Sequence, residues 1–300
     1  MRARAEEFER LRPLLFSIAY RILGSVGEAE DAVQETWLRW EASEAPPQSP
    51  RAYLSTVVTR IAIDVLRSAR VRREQYAGPW LPEPLLDDPY DDPERAAELA
   101  DSLSMAALLL LERLSPLERA VFVLREVFGF GFAEIAATVG RSQAACQQLA
   151  VRARRHMEAG RPRFAADRER QEALAARFFA AFGEGDVDGL RALLAADVEL
   201  VGDSGGKAPA RAPVHGAAAV ATALAGFAGL LARVGGVVEP RPVNGQPGAL
   251  VRDRDGNLLN ALALDLLDGR VQAVRSVINP DKLAHLGPAG DPWALLRAAR

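Results

Sequence analysis

The sequence predicts a multi-domain protein in which two all-α domains precede an α+β domain. Apolar residues recur at helical spacing through most of the first half of the chain, whereas strand-like apolar runs occur mainly beyond residue 236. A chain of 300 residues is also long enough for two or three domains. We expect the segments 1–75, 76–101, 102–160 and 169–286, followed by a tail at 287–300.

The composition favours a globular protein of the reducing cytosol. Hydrophobic residues make up 49% of the chain, yet no apolar run reaches the roughly 18 residues that a membrane span requires. The charged start of the chain lacks the apolar segment of a signal peptide. Cys146 is the single cysteine, which excludes an internal disulfide and a cysteine-based metal site. We therefore expect a cytoplasmic protein with no cofactor and no metal.

The first domain reads as three helices. Apolar spacing runs from Phe8 to Ile22 and stops at Gly24-Ser25, and a second helix begins near Glu28. PPQSP at 46–50 breaks the chain into a loop. A third helix spans 51–73 and ends in a cluster of arginines, which suits both a helix C-terminus and an anionic partner.

Residues 76–101 predict an acidic linker with one unusual segment. Its acidic residues outnumber its basic ones, which consist of Arg95 alone. The sequence WLPEPL at 80–85 contains two prolines that forbid regular helix, so Trp80 and two leucines are displayed on extended chain. Exposed apolar residues of this kind favour docking onto another surface, and the alternative is a proline-rich spacer.

The segment 114–157 predicts a helix-turn-helix unit. Two helices with apolar spacing follow one another, and the second ends at Gly140, where a helix C-cap requires positive φ. Ser142 can then cap the start of the third helix. Gln143 and Gln147 then lie on a helix that also carries arginines, and such side chains can read base edges or bind phosphates in a major groove. The alternative is an ordinary helical hairpin whose charged face is only solvated.

The C-terminal part predicts helices followed by a curled antiparallel sheet. Two amphipathic helices are expected over 169–200 and a third over 216–234, with strands near 237–243, 248–253, 258–267 and 271–278. Asp268-Gly269 between apolar flanks is the strongest short hairpin signal.

The two helical domains resemble regions 2 and 4 of the extracytoplasmic-function (ECF) sigma factors. The likeness rests on EAEDAVQETWLRW and RAYLSTVVTRIAIDVLRSARVRR for region 2 and on EIAATVGRSQAACQQLAVRARR for region 4, in the family's order and spacing. The resemblance implies a non-catalytic factor, monomeric when free and away from membranes. It would bind the clamp of the largest subunit and the β flap of core RNA polymerase and direct the enzyme to promoter DNA with two recognition elements.

The resemblance also implies three sets of contact residues. Core polymerase would be bound by Asp31, Gln34, Glu35, Trp37 and Leu38. The unpaired −10 strand would be bound by Arg51, Tyr53, Thr56, Arg60, Asp64 and Arg67. The −35 duplex would be bound by Arg141, Ser142, Gln143, Cys146, Gln147, Arg152, Arg154 and Arg155.

The C-terminal domain resembles the SnoaL-like cone, an α+β barrel with a central pocket. DSGGK at 203–207 and NPDKL at 279–283 are similar to motifs of sigma factors that carry this extension, although Ser204 departs from the usual DGGGK. These motifs contain the only two lysines of the chain, Lys207 and Lys282, and the family also carries WLPEPL. The resemblance implies regulatory contacts by Trp80, Leu81, Pro82, Glu83, Pro84, Leu85, Asp203, Lys207, Asn279, Pro280, Asp281, Lys282 and Leu283.

Two functions remain open for this domain. It can regulate the sigma domains in cis, or its pocket can sense a small ligand or catalyse a cyclase- or isomerase-like reaction. Catalysis would need an acid/base pair, for which Asp203 and Asp265 are candidates. Because no residue spacing forces such a pair, regulation is the favoured interpretation.

Overall fold

The computed structural model describes residues 2–43, 49–160, 168–209, 212–293 and 297. The parts of the predicted −10 loop at 44–48 and of the predicted tail at 294–296 and 298–300 lie outside the described residues. The chain divides into two compact units, Met1–Gln75 with Asp87–Arg161 and Tyr76–Leu86 with Pro162–Arg300. Among the described helices, none is long and apolar enough to cross a membrane.

The first unit is built from helices. Its α-helices are α1 Arg2–Leu23, α2 Val26–Glu41, α3 Pro50–Glu74, α4 Ala96–Leu103, α5 Met105–Glu112, α6 Pro116–Phe122, α7 Phe132–Val139 and α8 Gln143–Gly160. A 3₁₀ turn at Pro93–Arg95 precedes α4, and a π turn at Val123–Val127 continues α6. The interval 76–101, expected as one acidic linker, is divided, since residues 76–86 belong to the second unit and 87–101 to this one, where Leu99 is buried on α4.

The predicted helix-turn-helix geometry is present in α7 and α8. Gly140 ends α7 with a φ of 65°, the left-handed conformation that glycine adopts without a Cβ penalty. The Ser142 hydroxyl then accepts a hydrogen bond from the Ala145 amide at 3.2 Å and caps the start of α8. Both elements were predicted, and both are confirmed.

Arg21 is a fully buried cation at the centre of the helical unit. Its guanidinium donates to the Asp88 carboxylate at 2.8 Å, to the Ser102 hydroxyl at 2.7 Å and to the Leu99 carbonyl at 2.8 Å. These bonds join α1 to the linker residue Asp88 and to α4. A buried cation is tolerated when its N–H donors are hydrogen-bonded in this way. Removal of the Asp88 carboxylate would leave the Arg21 charge buried and uncompensated, which destabilises a fold.

The second unit is the α+β domain together with residues 76–86, which we call the linker strap. Its helices are α9 Arg168–Glu184, α10 Val187–Leu193, α11 Ala217–Arg233 and the short α12 Pro280–Leu283. Its strands are β1 Leu194–Asp203, β2 Val214–His215, β3 Val237–Pro240, β4 Gly248–Arg252, β5 Leu258–Leu267 and β6 Arg270–Val277. Phe178, Phe182, Leu224 and Leu264 lie in the core between the helices and the sheet.

The six strands form one open mixed sheet in the order β2-β1-β6-β5-β4-β3. Its hydrogen-bonded ladder does not close into the expected barrel. Strand β1 was also missed, since residues up to 200 were assigned to helices. This strand pairs in parallel with β6, a partner remote in sequence, and tertiary pairing overrides the helical preference of its alanine- and leucine-rich start.

Candidate functional site

The residues expected to bind polymerase lie on α2, and three of them are exposed to solvent. Asp31 and Gln34 are exposed, Glu35 is half-buried and Leu38 is 52% exposed. Trp37 is half-buried and packs its ring edge against Phe8 at a centroid distance of 5.0 Å. Trp37 therefore has a structural role in addition to any contact with a partner.

The residues expected to bind the −10 strand lie on α3. Arg51, Arg60, Asp64 and Arg67 are exposed, whereas Tyr53 is half-buried and packs against Trp40. Thr56 is also half-buried. Asp64 and Arg67 pair with each other at 3.1 Å.

This face of α3 contacts the end of α7. Arg60 donates to the main-chain carbonyls of Thr138 at 2.8 Å and Ala137 at 2.7 Å. The Thr56 and Thr138 hydroxyls are 2.9 Å apart, and the Arg51 guanidinium lies over the Phe130 ring at 5.6 Å. Three of the predicted −10 residues thus contact the helix-turn-helix domain, and DNA would have to replace those contacts.

The exposed face of α8 carries most of the predicted −35 residues. Arg141, Ser142, Gln143, Gln147, Arg152, Arg154 and Arg155 are all exposed. Arg152 pairs with Glu118 at 3.0 Å and Arg154 with Glu126 at 2.7 Å. These pairs are solvent-accessible and can exchange for phosphates, because exposed ion pairs contribute little net free energy.

Cys146 is a correction to the predicted −35 set. Its side chain is 0% exposed and lies on the buried face of α8 with Ala150, Ala153 and Met157. Burial raises the pKa of the Cys146 thiol. A buried thiol cannot reach a base edge, so this residue belongs to the core of the helix-turn-helix domain.

The linker strap is bound to the C-terminal domain around Asp203, which is fully buried. One carboxylate oxygen accepts from the Tyr76 hydroxyl and from the Gly205 amide. The other accepts from the Leu81 amide at 2.7 Å and from the Lys282 ammonium at 2.7 Å. The carboxylate therefore has a donor for each of four acceptor directions, two of which come from the strap.

Lys282 completes this cluster. Its ammonium also donates to the Leu81 carbonyl and lies 4.2 Å from the Trp80 ring centroid and 4.9 Å from the Tyr76 ring centroid. Two aromatic faces and a carboxylate suit a buried ammonium through cation–π and charge-assisted contacts. Burial and the hydrogen bond to Asp203 raise the pKa of Tyr76, so this phenol stays a hydrogen-bond donor.

The far end of the strap is bound by residues that sequence reasoning missed. The Leu85 amide donates to the Asn244 side chain at 3.0 Å, and the Asn244 amide donates to the Leu85 carbonyl at 2.7 Å. His285 donates from Nε2 to the Pro84 carbonyl at 2.7 Å. Leu81, Pro82, Pro84 and Leu85 are buried, and Trp80 and Glu83 are half-buried.

The second lysine lies at the edge of the same cluster. Lys207 is exposed and pairs with Asp281, which is also exposed. Asn279 caps α12 by accepting from the Asp281 amide and donates to the Tyr76 hydroxyl at 2.9 Å. Pro280 is half-buried at the start of α12 and Leu283 is buried at its end. The two motif lysines therefore differ, since Lys282 binds the strap and Lys207 joins the loop 203–207 to α12 at the surface.

The C-terminal domain also contains a cavity of about 170 Å³ between α11 and the sheet. Neither predicted acid/base candidate lines it. Asp203 faces the strap, and Asp265 pairs with Arg275 at 3.1 Å. Burial raises the pKa of the Asp265 carboxyl, with the Arg275 charge acting in the opposite direction. The expectation that Asp203 and Asp265 could line a catalytic cavity is therefore wrong for this one.

Comparisons with known proteins agree with the helical architecture. Family models described as Sigma-70 region 2 and Sigma-70, region 4 match residues 8–72 and 104–157. The ECF RNA polymerase sigma factor SigJ of Mycobacterium tuberculosis is 42% identical over 289 residues, which is 92% of each chain. The probable ECF RNA polymerase sigma factor SigI of the same bacterium is 32% identical over 278 residues, covering 92% of this chain and 93% of the relative. The crystal structure of M. tuberculosis SigJ matches with a TM-score of 0.70 and 37% identity, covering 93% of this chain and 98% of the other.

Proposed function

We propose that this chain, which belongs to the ECF sigma factor family, initiates transcription under restraint by its own linker strap. As a member of that family, it directs core RNA polymerase to selected promoters. Sigma factors bind core RNA polymerase and promoter DNA. The finer assignments, α2 to the clamp of the largest subunit and the helix-turn-helix domain to the β flap, are part of this proposal. Such a factor acts in the bacterial cytoplasm, where polymerase and chromosome are found.

The promoter contacts divide between the two sigma domains. We assign the unpaired −10 strand to α3 and the residues before it, where the exposed Arg51, Arg60 and Arg67 can bind phosphates. We assign the −35 duplex to α8, where Gln143 and Gln147 can read base edges and Arg152, Arg154 and Arg155 can bind phosphates. The hydrogen bonds from Arg60 to α7 support a closed state of the protein before it binds polymerase, in which α3 contacts the helix-turn-helix domain. In that state Arg60 is occupied, although the −10 strand would need it.

The single observation that carries the regulatory proposal is the binding of the linker strap by Asp203 and Lys282. The chain between α3 and the 3₁₀ turn at Pro93 spans residues 75–92, which could extend to about 60 Å if free. With 76–86 bound, only residues 87–92 can extend, over roughly 20 Å. Strap binding would therefore limit how far the helix-turn-helix domain moves from α3, which keeps Arg51, Thr56 and Arg60 in contact with that domain.

We assign no chemical step to the C-terminal domain. Its cavity, as far as the described residues line it, contains no titratable side chain that could serve as a general acid or base. A ligand-binding role for the same cavity is compatible with this proposal.

Run-off transcription with core polymerase tests the restraint. The double variant Leu81→Ser/Leu85→Ser removes both buried anchors of the strap and leaves every polymerase and DNA residue in place. We expect at least about fivefold more transcript than from the unaltered chain, since burial of each leucine contributes roughly 1.5–3 kcal/mol. Leu86→Ser is the matched control, because Leu86 is only half-buried.

Chymotrypsin cleavage within 76–86 shows independently whether the strap has been released. A strap that is cleaved rapidly in the double variant, with transcription unchanged, would contradict the restraint. A rise in transcription with Leu86→Ser equal to that of the double variant would also contradict it, because the effect would not follow strap burial.

A further inference from the structure

The cavity of the C-terminal domain is built mostly from hydrocarbon. Leu200 on β1, Leu262 on β5 and both Leu224 and Phe227 on α11 contribute apolar walls. Helix α11 and the sheet also share the main core of the domain, so the walls are held by packed elements. A volume of about 170 Å³ is close to that of engineered apolar cavities that bind benzene, which are about 150 Å³.

One polar pair interrupts the apolar walls. Asn260 on β5 is 3% exposed and Ser276 on β6 is 9% exposed. The Asn260 amide donates to the Ser276 hydroxyl at 2.9 Å, and the hydroxyl lies 3.1 Å from the Asn260 carbonyl oxygen. An asparagine amide has two N–H donors and two acceptor lone pairs, so this pairing leaves one of each for a molecule in the cavity.

The charge of a ligand is restricted by the same walls. All cavity-lining residues in the described part of the chain are uncharged. A carboxylate or ammonium group would lose hydration on entering and find no counter-ion among these residues, which costs far more than an amide hydrogen bond returns. A neutral molecule with one hydroxyl or carbonyl oxygen meets the site without that penalty.

We propose that this cavity binds a small, uncharged, hydrocarbon-rich molecule whose single hydroxyl or carbonyl oxygen hydrogen-bonds to Asn260. The volume suits a ligand of about six to ten heavy atoms, such as a simple phenol or cyclic ketone. The inference is independent of the strap, because it concerns binding by α11 and the sheet. The cavity is a binding site here, and no reaction is assigned to it.

Calorimetric titration of the full-length protein tests the site with three probes that share a ring and differ in one feature. p-Cresol supplies the ring and a hydroxyl, toluene supplies the ring alone, and benzoate adds a charge. We expect p-cresol to bind about fivefold tighter than toluene, as one added hydrogen bond allows. Benzoate should not bind detectably.

Two variants connect the binding to this cavity. Ala223→Phe places a ring inside the cavity from α11 and should abolish binding of p-cresol and toluene, whereas Ala219→Phe adds the same ring at an exposed position of the same helix and should change neither. Asn260→Leu/Ser276→Ala removes both polar partners together, which leaves no unpaired group, and should reduce p-cresol affinity to that of toluene. Thermal unfolding confirms that each variant is folded.

Three results would overturn the proposal. These are no binding of p-cresol or toluene by the full-length protein, equal binding by folded Ala223→Phe, and benzoate binding as tight as that of p-cresol. Retention of the p-cresol preference in the folded Asn260→Leu/Ser276→Ala variant would overturn the assignment of the oxygen to Asn260.

Discussion

Cys146 and Gln147 are neighbours on α8 with opposite environments, and this difference can be measured. Cys146 is buried among Ala150, Ala153 and Met157, whereas Gln147 is exposed. We expect Cys146→Ala to leave −35 duplex affinity within about twofold and to lower the free energy of unfolding by about 1 kcal/mol. Gln147→Ala should weaken binding of the −35 duplex by about 1–3 kcal/mol, because it removes the base contact that we propose for this side chain.

Fluorescence anisotropy of a labelled −35 duplex, titrated with the full-length protein, separates the two effects. Ala144→Ser changes an exposed neighbour on the same turn and serves as the control. Equal loss of affinity for Cys146→Ala and Gln147→Ala, with both variants folded, would show that the buried face of α8 matters for DNA binding as much as the exposed one.

The two lysines provide a second comparison between single residues. Each pairs with an aspartate, but Lys282 and Asp203 are buried while Lys207 and Asp281 are exposed. We expect Lys282→Met to lower the free energy of unfolding of the C-terminal domain by about 3–5 kcal/mol, because it leaves a buried carboxylate without its counter-ion. Lys207→Met should cost less than about 1 kcal/mol.

Urea unfolding followed by circular dichroism measures this contrast. Asp203→Asn/Lys282→Met removes both charges and should recover part of the loss caused by Lys282→Met alone. If the double variant is less stable by the full sum of the two single losses, the two residues are not energetically coupled and the ion pair does not stabilise the domain.

At the scale of the element, the loop 203–207 is shaped by two glycines in left-handed conformations. Gly205 has a φ of 55°, and a Cβ there would lie 2.3 Å from the Asn279 amide nitrogen and 2.9 Å from the Tyr76 hydroxyl. Gly206 has a φ of 73°, and its Cβ would approach only the Ala77 methyl, at 3.1 Å. The loop therefore needs glycine at 205 for space as well as for conformation.

We expect Gly205→Ala to destabilise the bound strap more than Gly206→Ala does. Both substitutions carry the left-handed penalty of about 1–2 kcal/mol, and only the first also separates Asn279 from Tyr76. Chymotrypsin cleavage within residues 76–86 is the measurement, and faster cleavage is expected for Gly205→Ala. Equal cleavage of the two variants would mean that the Asn279 to Tyr76 contact does not hold the strap.

Local signals predicted some elements well because their physics is local. The Gly140 cap follows from φ preference, and Asp268-Gly269 adopts the positive φ values of 50° and 70° that its hairpin turn requires. Strand β1 and the open sheet edge could not be predicted, because the partner of β1 is β6, more than seventy positions away. Pairing between remote segments is decided by tertiary packing, which residue propensity does not report.

The candidate sites show the same division. The two motifs and WLPEPL were expected to make regulatory contacts, and that role stays a prediction. Contact between Asp203, Lys282 and Leu81 is a feature of the fold itself. Tyr76, Asn244 and His285 gave no local signal. Each lies outside the motifs and meets its hydrogen-bond partner in a segment that is remote in sequence. Cys146 was misassigned because the resemblance implied a role for its position along the chain, whereas the rotation of α8 turns this side chain into the core.

At the scale of the whole molecule, regulation in cis makes a prediction about two changes combined. A chain that ends at residue 165 lacks Asp203, Asn244 and Lys282 and therefore cannot bind the linker strap. If strap binding restrains the sigma domains, truncation and strap release act on the same step. Leu81→Ser/Leu85→Ser should then raise run-off transcription in the full-length protein and have no effect in the truncated one.

The comparison separates restraint from other consequences of altering the chain. The four proteins, full-length and truncated, each with and without the strap substitutions, are assayed with the same core polymerase and promoter, and core binding is measured in parallel. Restraint requires the truncated chain to transcribe at least as well as the full-length strap variant, because both lack a bound strap. An equal rise from the strap substitutions in both backgrounds would contradict it, since Leu81 and Leu85 would then act without the site that binds them.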